Sequence, residues 1–123
     1  MKANIKNYRD LIVWQKGMDL CEYVYRLAIK LPNEERYELS SQLRRASVSI
    51  PSNIAEGHAR QSRKEYAHFL SIAQGSIAEL ETQLLLATRL GMLQSSDVNP
   101  VLTLSEEISR MLFVLRRKLT ANP

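Results

Sequence analysis

The chain of 123 residues has one cysteine, one tryptophan, four glycines and four prolines. A lone Cys21 cannot close an internal disulfide, so a disulfide-stapled scaffold is excluded. Its place in an apolar stripe reads as a small core residue. Few chain breakers, with many Leu, Ala, Glu, Arg and Gln, favour helix almost throughout. No apolar run approaches the ~20 residues that span a bilayer. The opening MKANIKNYRD lacks the apolar stretch of a signal peptide. The expectation is a cytoplasmic protein without membrane contact.

The signatures of catalysis are missing too. There is no glycine-rich phosphate loop and no H-E-x-x-H. Ser47, Ser49 and Ser52 stand outside any G-x-S-x-G context. Glu65 and His68 have the E-x-x-H spacing of di-iron bundles, but that site needs a second such pair and two further inward glutamates. Trp14 sits at a helix core position and reads as packing. The chain is therefore expected to be no enzyme, with no metal, no cofactor and no small-molecule substrate.

What is present is ordinary for one folded domain over residues 1–123: 45% apolar and 24% charged residues. Four helical patterns follow one another, over about 10–31, 34–57, 62–90 and 97–119. In the first, Leu11, Trp14, Met18, Cys21, Tyr25 and Ala28 recur at steps of three and four and define one face. Pro32 stops this helix, and Asn33 caps the next. Gly57 suits a C-terminal cap, Ser62 and Glu65 form a capping box, Gly91 closes the third helix, and Pro100 falls in the first turn of the fourth. Near-equal helices with short connections predict an all-α, up-down-up-down antiparallel four-helix bundle.

Two helices carry apolar residues on a second side. Helix three has Ile72, Leu86 and Leu90; helix one has Val13, Leu20, Val24, Leu27 and Leu31. A bundle helix buries one broad stripe, so the surplus points to a subunit interface and a homo-oligomer.

The second pattern contains QLRRASVSIPSNIAEG (residues 42–57), with Pro51 inside a helical run. An internal proline loses one hydrogen bond and costs roughly 3 kcal/mol, so a kink is expected there. Gln42, Arg45, Ser49, Ser52, Glu56 and Arg60 project onto one polar stripe, walled by Leu39, Ala46 and Ile50 on one side and Val48 and Ala55 on the other. The stripe reads as a buried or interfacial network of Arg45, Ser49, Pro51, Asn53, Glu56 and, from helix three, Glu79. Asn53 would bond carbonyls freed by Pro51, and Glu79 or Glu81 would partner the arginines.

Net charge is +4. The window 44–64 holds five basic residues (Arg44, Arg45, Arg60, Arg63, Lys64) against Glu56 alone, so it carries the whole net charge; Arg116, Arg117 and Lys118 add a second cluster. In alternating topology the ends of helices two and four share one end of the bundle. These eight residues are the candidate contacts for a nucleic-acid backbone.

The runs YRDLIVWQKGMDL, LPNEERYELSSQLRRASVSIPSNIAEG and SRKEYAHFLSIAQGSIAELETQL resemble the bacterial four helix bundle protein family, founded on proteins encoded in intervening sequences of 23S ribosomal RNA genes. The similarity covers roughly Tyr8 to Leu119. A relative of that family is the accessory protein of diversity-generating retroelements, a homopentameric barrel that binds nucleic acid and a reverse transcriptase. The resemblance implies a ring-forming bundle, a pentamer, with RNA or DNA and a reverse transcriptase as possible partners.

Overall fold

Three breaks in the apolar periodicity divide the chain into four helices. The computed structural model describes residues 5–121. Its helices are α1 (Ile12–Ile29), α2 (Leu39–His58), α3 (Arg63–Arg89) and α4 (Ser95–Thr120). Short 3-10 turns, Tyr8–Asp10 and Asn33–Glu35, precede α1 and α2. Among the described residues each helix packs on its two sequence neighbours, α4 closing back onto α1, and the backbones of diagonal pairs stay apart. That is the up-down-up-down four-helix bundle.

Local chemistry sets the ends. Ser62 Oγ accepts the Glu65 amide at 3.0 Å and starts α3. Gly91, at φ 75°, ends it, with the Met92 amide bonded to the Ala87 carbonyl at 2.9 Å and the Gly91 amide to that of Thr88 at 3.1 Å. The start of α2 falls later than the pattern suggests, because residues 33–38 form a 3-10 turn and an irregular turn instead of α-helix. Gly57 is no cap. It lies buried inside α2, and a β-carbon there would come within 2.8 Å of Phe69 Cβ and 3.2 Å of the Tyr66 carbonyl. Its role is to let α2 and α3 approach. Pro100 sits beyond the first turn of α4, which runs through it.

The core is aliphatic. Leu20, Val24, Leu43, Ile50, Ile54, Leu70, Leu80, Leu84, Ile108 and Leu112 are fully buried, each contributing about 1.5–3 kcal/mol over an exposed side chain. In α1 the two expected faces exchange roles. Val13, Leu20, Val24, Leu27 and Leu31 are buried; of the face expected inside, Ala28 alone is buried, while Met18 and Tyr25 are exposed and Leu11, Trp14 and Cys21 only half-buried. The outer set of α3 is as expected, with Ile72, Leu86 and Leu90 exposed.

Helix α2 runs through Pro51 without interruption, and the expected kink is not confirmed. Pro51 is buried against α1, where a β-carbon on Gly17 would meet Pro51 Cβ at 3.5 Å, an ordinary contact. Proline lacks the N–H that would bond the Ser47 carbonyl. The Cys21 thiol, reaching across from α1, donates to that carbonyl at 3.0 Å. Asn53 does not fill the gap as expected; its Nδ2 donates to the Ser49 carbonyl at 2.7 Å and to Ser49 Oγ at 2.9 Å.

Candidate nucleic-acid interface

Antiparallel packing brings the α2–α3 connection and the last turn of α4 to one end of the bundle, as the topology predicts. Arg63 makes the contact directly: its guanidinium donates to the Lys118 carbonyl and, at 3.3 Å, to that of Leu119. These carbonyls belong to the last turn of α4, where acceptors lack helical partners and the dipole is negative. Arg63 is thus a structural clamp on α4 as well as a positive charge.

The other candidates divide in the same way. Arg60 lies 2.9 Å from Glu56 and 4.0 Å from Glu65, with its guanidinium 4.8 Å from the Phe69 ring centre. Its charge is largely offset. Arg116 is half-buried and donates to Gln74 Oε1, while its Nε is buried without a partner in the chain. Arg116 therefore belongs to the α3–α4 packing. Lys64, Arg117 and Lys118 are exposed, and no described acid lies within 4 Å of them. The Arg117 guanidinium stands 5.9 Å from the Phe113 ring centre.

Residues missed in the sequence reinforce this end. Lys118 lines a groove with Ile5, Asp10 and Leu11 from the segment entering α1, and with Arg110 of α4. Lys6 and Arg9 are exposed in that segment. The N-terminal charge was the available signal, but it lies far in sequence from the window 44–64. The Asp10 carboxylate accepts the Lys6 amide at 2.7 Å and the Asn7 amide at 3.2 Å, which lowers its pKa.

Arg44 and Arg45 lie elsewhere. They sit on the first half of α2, about 20 Å from His58 at 1.5 Å per residue. The eight basic candidates form two regions, not one patch. Arg44 Nε donates to the Ser40 carbonyl at 3.3 Å. Arg45 is exposed and, among the described residues, has no acid within 4 Å.

The polar stripe of α2 is smaller within one chain than expected. Ser49 Oγ lies 2.7 Å from Ser76 Oγ of α3, and Asn53 joins them, making a seam between the two helices. Arg45 and Glu79 are exposed outside this seam, and Glu56 pairs with Arg60 instead of Arg45. Glu81 faces α4, where it bonds the buried Ser105 hydroxyl. Pro51 points the other way, to α1. Burial pushes the Cys21 thiol up to about 11, so it is a neutral donor at physiological pH.

Among the described residues no cluster of three or more His, Cys, Asp or Glu could hold a metal, and no helix is long and apolar enough to cross a membrane.

A four-helix bundle with a basic end and an aliphatic core defines the class. The chain belongs to the 23S rRNA-intervening sequence protein family, whose model matches residues 9–114. It is similar to the crystal structure of a protein of unknown function from the S23 ribosomal protein family of Bacteroides thetaiotaomicron, with a TM-score of 0.80 and 27% identity, over 86% of this chain and 99% of that one. No curated protein matches the chain.

Proposed function

We propose that this protein is a non-enzymatic, cytoplasmic homo-oligomer that binds the backbone of RNA or DNA through the basic end of each bundle. The observation that carries the reading is the convergence of Lys64, Arg117 and Lys118 on one end with no described acid within 4 Å. Two acids elsewhere are paired: Glu107 with Lys16 at 2.7 Å and Asp97 with Lys30 at 3.3 Å. Cations left free at one end attract phosphates without reading bases. Placed in a pentameric ring, as the resemblance to the retroelement accessory protein implies, the same end would repeat around a rim and multiply weak contacts.

Retention of mixed-sequence RNA and DNA on filters, measured from ~50 mM salt upward, tests this. Affinity should fall steeply with salt, by about one power of concentration per phosphate contact. Absence of binding at ~50 mM would exclude the reading, because backbone contacts are strongest there.

A second reading has its own observation. The α2–α3 face exposes Ile72, Leu86 and Leu90 beside a buried Gln83 whose Oε1 has no partner in the chain. That face fits an oligomer seam or an adaptor surface for a protein such as a reverse transcriptase, with Arg45 and Glu79 in ion pairs between subunits. Arg45→Ala separates the readings. Loss of the oligomer with nucleic-acid affinity per folded subunit unchanged assigns Arg45 to assembly.

A further inference from the structure

A cavity of about 560 Å³ lies far from the basic end, where α1 turns into α2. Its size falls within the roughly 300–1,000 Å³ of small-molecule sites. Tyr25, Arg36, Tyr37, Ser40 and Arg44 line it, with Leu31 and Pro32 as an apolar wall, and no acidic residue contributes to the lining. Two guanidiniums facing one cavity without a carboxylate form an anion site in need of its anion. Arg44 is the better positioned, since its Nε bond to the Ser40 carbonyl holds the guanidinium while its terminal nitrogens have no described partner. No described acid lies within 4 Å of Arg36.

The rings supply the second half of the chemistry. Tyr37 is 83% exposed and Tyr25 44%. Tyr37 stands in the irregular turn between the 3-10 turn and α2, packed against nothing in the core. Exposed tyrosines beside arginines are the platform on which unpaired bases stack, each stack contributing about 1–3 kcal/mol. A second cavity of about 450 Å³ continues the first along α2, sharing Tyr25 and Arg44 and adding Arg45. A ligand with a phosphate at Arg36 and Arg44 and a ring on tyrosine could therefore extend to another phosphate at Arg45.

We infer that this cavity, lined by Tyr25, Arg36, Tyr37 and Arg44, binds a nucleotide with its base unpaired, the phosphate held by the arginines and the base stacked on tyrosine. The inference rests in part on the proposed nucleic-acid role, since it names single strands or loops as the form engaged here. The same chemistry would admit a free mononucleotide.

The test uses the full chain with two probes: a single-stranded oligonucleotide carrying 2-aminopurine, and a blunt duplex of equal length. Tyr37→Ala and Arg36→Ala lie outside the core and leave the bundle intact. Each should weaken the single strand at least fivefold and leave the duplex within twofold. Tyr37→Phe should restore single-strand binding, because stacking needs the ring and not the hydroxyl. Unchanged single-strand affinity in both alanine variants would overturn the inference. Competition by AMP, but not by adenosine or inorganic phosphate, assigns the cavity to a free nucleotide; competition by oligonucleotides alone assigns it to a strand; competition by none of these overturns it. Single-strand binding unchanged in K64E/R117E/K118E but lost in Tyr37→Ala would remove the basic-end reading and leave the cavity standing.

Discussion

The Cys21 thiol donates a hydrogen bond to the Ser47 carbonyl at 3.0 Å, and that is the carbonyl Pro51 leaves without a helical donor. A proline inside a helix thereby becomes part of the α1–α2 seam. Gly17 accommodates the ring on the α1 side, and Cys21, one turn further on, supplies the missing donor.

The two residues should therefore be coupled. Cys21→Ala leaves the carbonyl unpaired and should cost about 1–2 kcal/mol in urea unfolding. With Pro51→Ala in place, position 51 regains a backbone N–H that can bond the Ser47 carbonyl. The same cysteine change should then cost about 1 kcal/mol less. Equal costs in both backgrounds would refute the coupling.

Legibility in the sequence followed the kind of information each feature needs. Helix number and order came from periodicity and from Pro32, Ser62 and Gly91, all local signals. The orientation of α1 did not, because Met18, Tyr25 and their neighbours repeat as regularly as Leu20, Val24 and Leu27; only packing against α2 and α4 decides which set is inside. The partner of the proline-orphaned carbonyl lies 26 residues away on another helix, beyond any local pattern. Charge clusters at 60–64 and 116–118 were visible, and topology joined them. That Arg63 and Arg116 are engaged by α4 carbonyls and Gln74 depends on side-chain reach across helices.

The thiol gives stability a pH dependence. Its folded pKa, about 11, is above the ordinary 9.0. The folded state holds the proton more tightly, so the contribution is complete below pH 9 and is lost as pH rises through about 11. Relative to Cys21→Ser, which does not titrate there, the native chain should lose stability between pH 9 and 11. Parallel curves for the two proteins would contradict this.

Gly57→Ala should destabilise the bundle despite the better helix propensity of alanine. The added methyl would meet Phe69 Cβ at 2.8 Å and the Tyr66 backbone carbonyl at 3.2 Å. Overpacking of this kind costs about 1–3 kcal/mol. A higher melting temperature would show that α2 and α3 can separate freely.

Arg63→Ala should fray the end of α4. The Lys118 and Leu119 carbonyls would lose their donor, a loss of about 1 kcal/mol confined to the last turn. Faster amide exchange in residues 116–120 with unchanged exchange in α1 is the expected pattern.

The central claim concerns Lys64, Arg117 and Lys118 at the shared end of α3 and α4. Its most direct measurement is filter binding of mixed-sequence RNA at ~50 mM salt by the native chain and by the triple variant K64E/R117E/K118E, with helicity checked by circular dichroism. The account predicts at least tenfold weaker binding and a salt dependence shallower by about three powers of concentration. Undiminished affinity in a fully helical variant would contradict it.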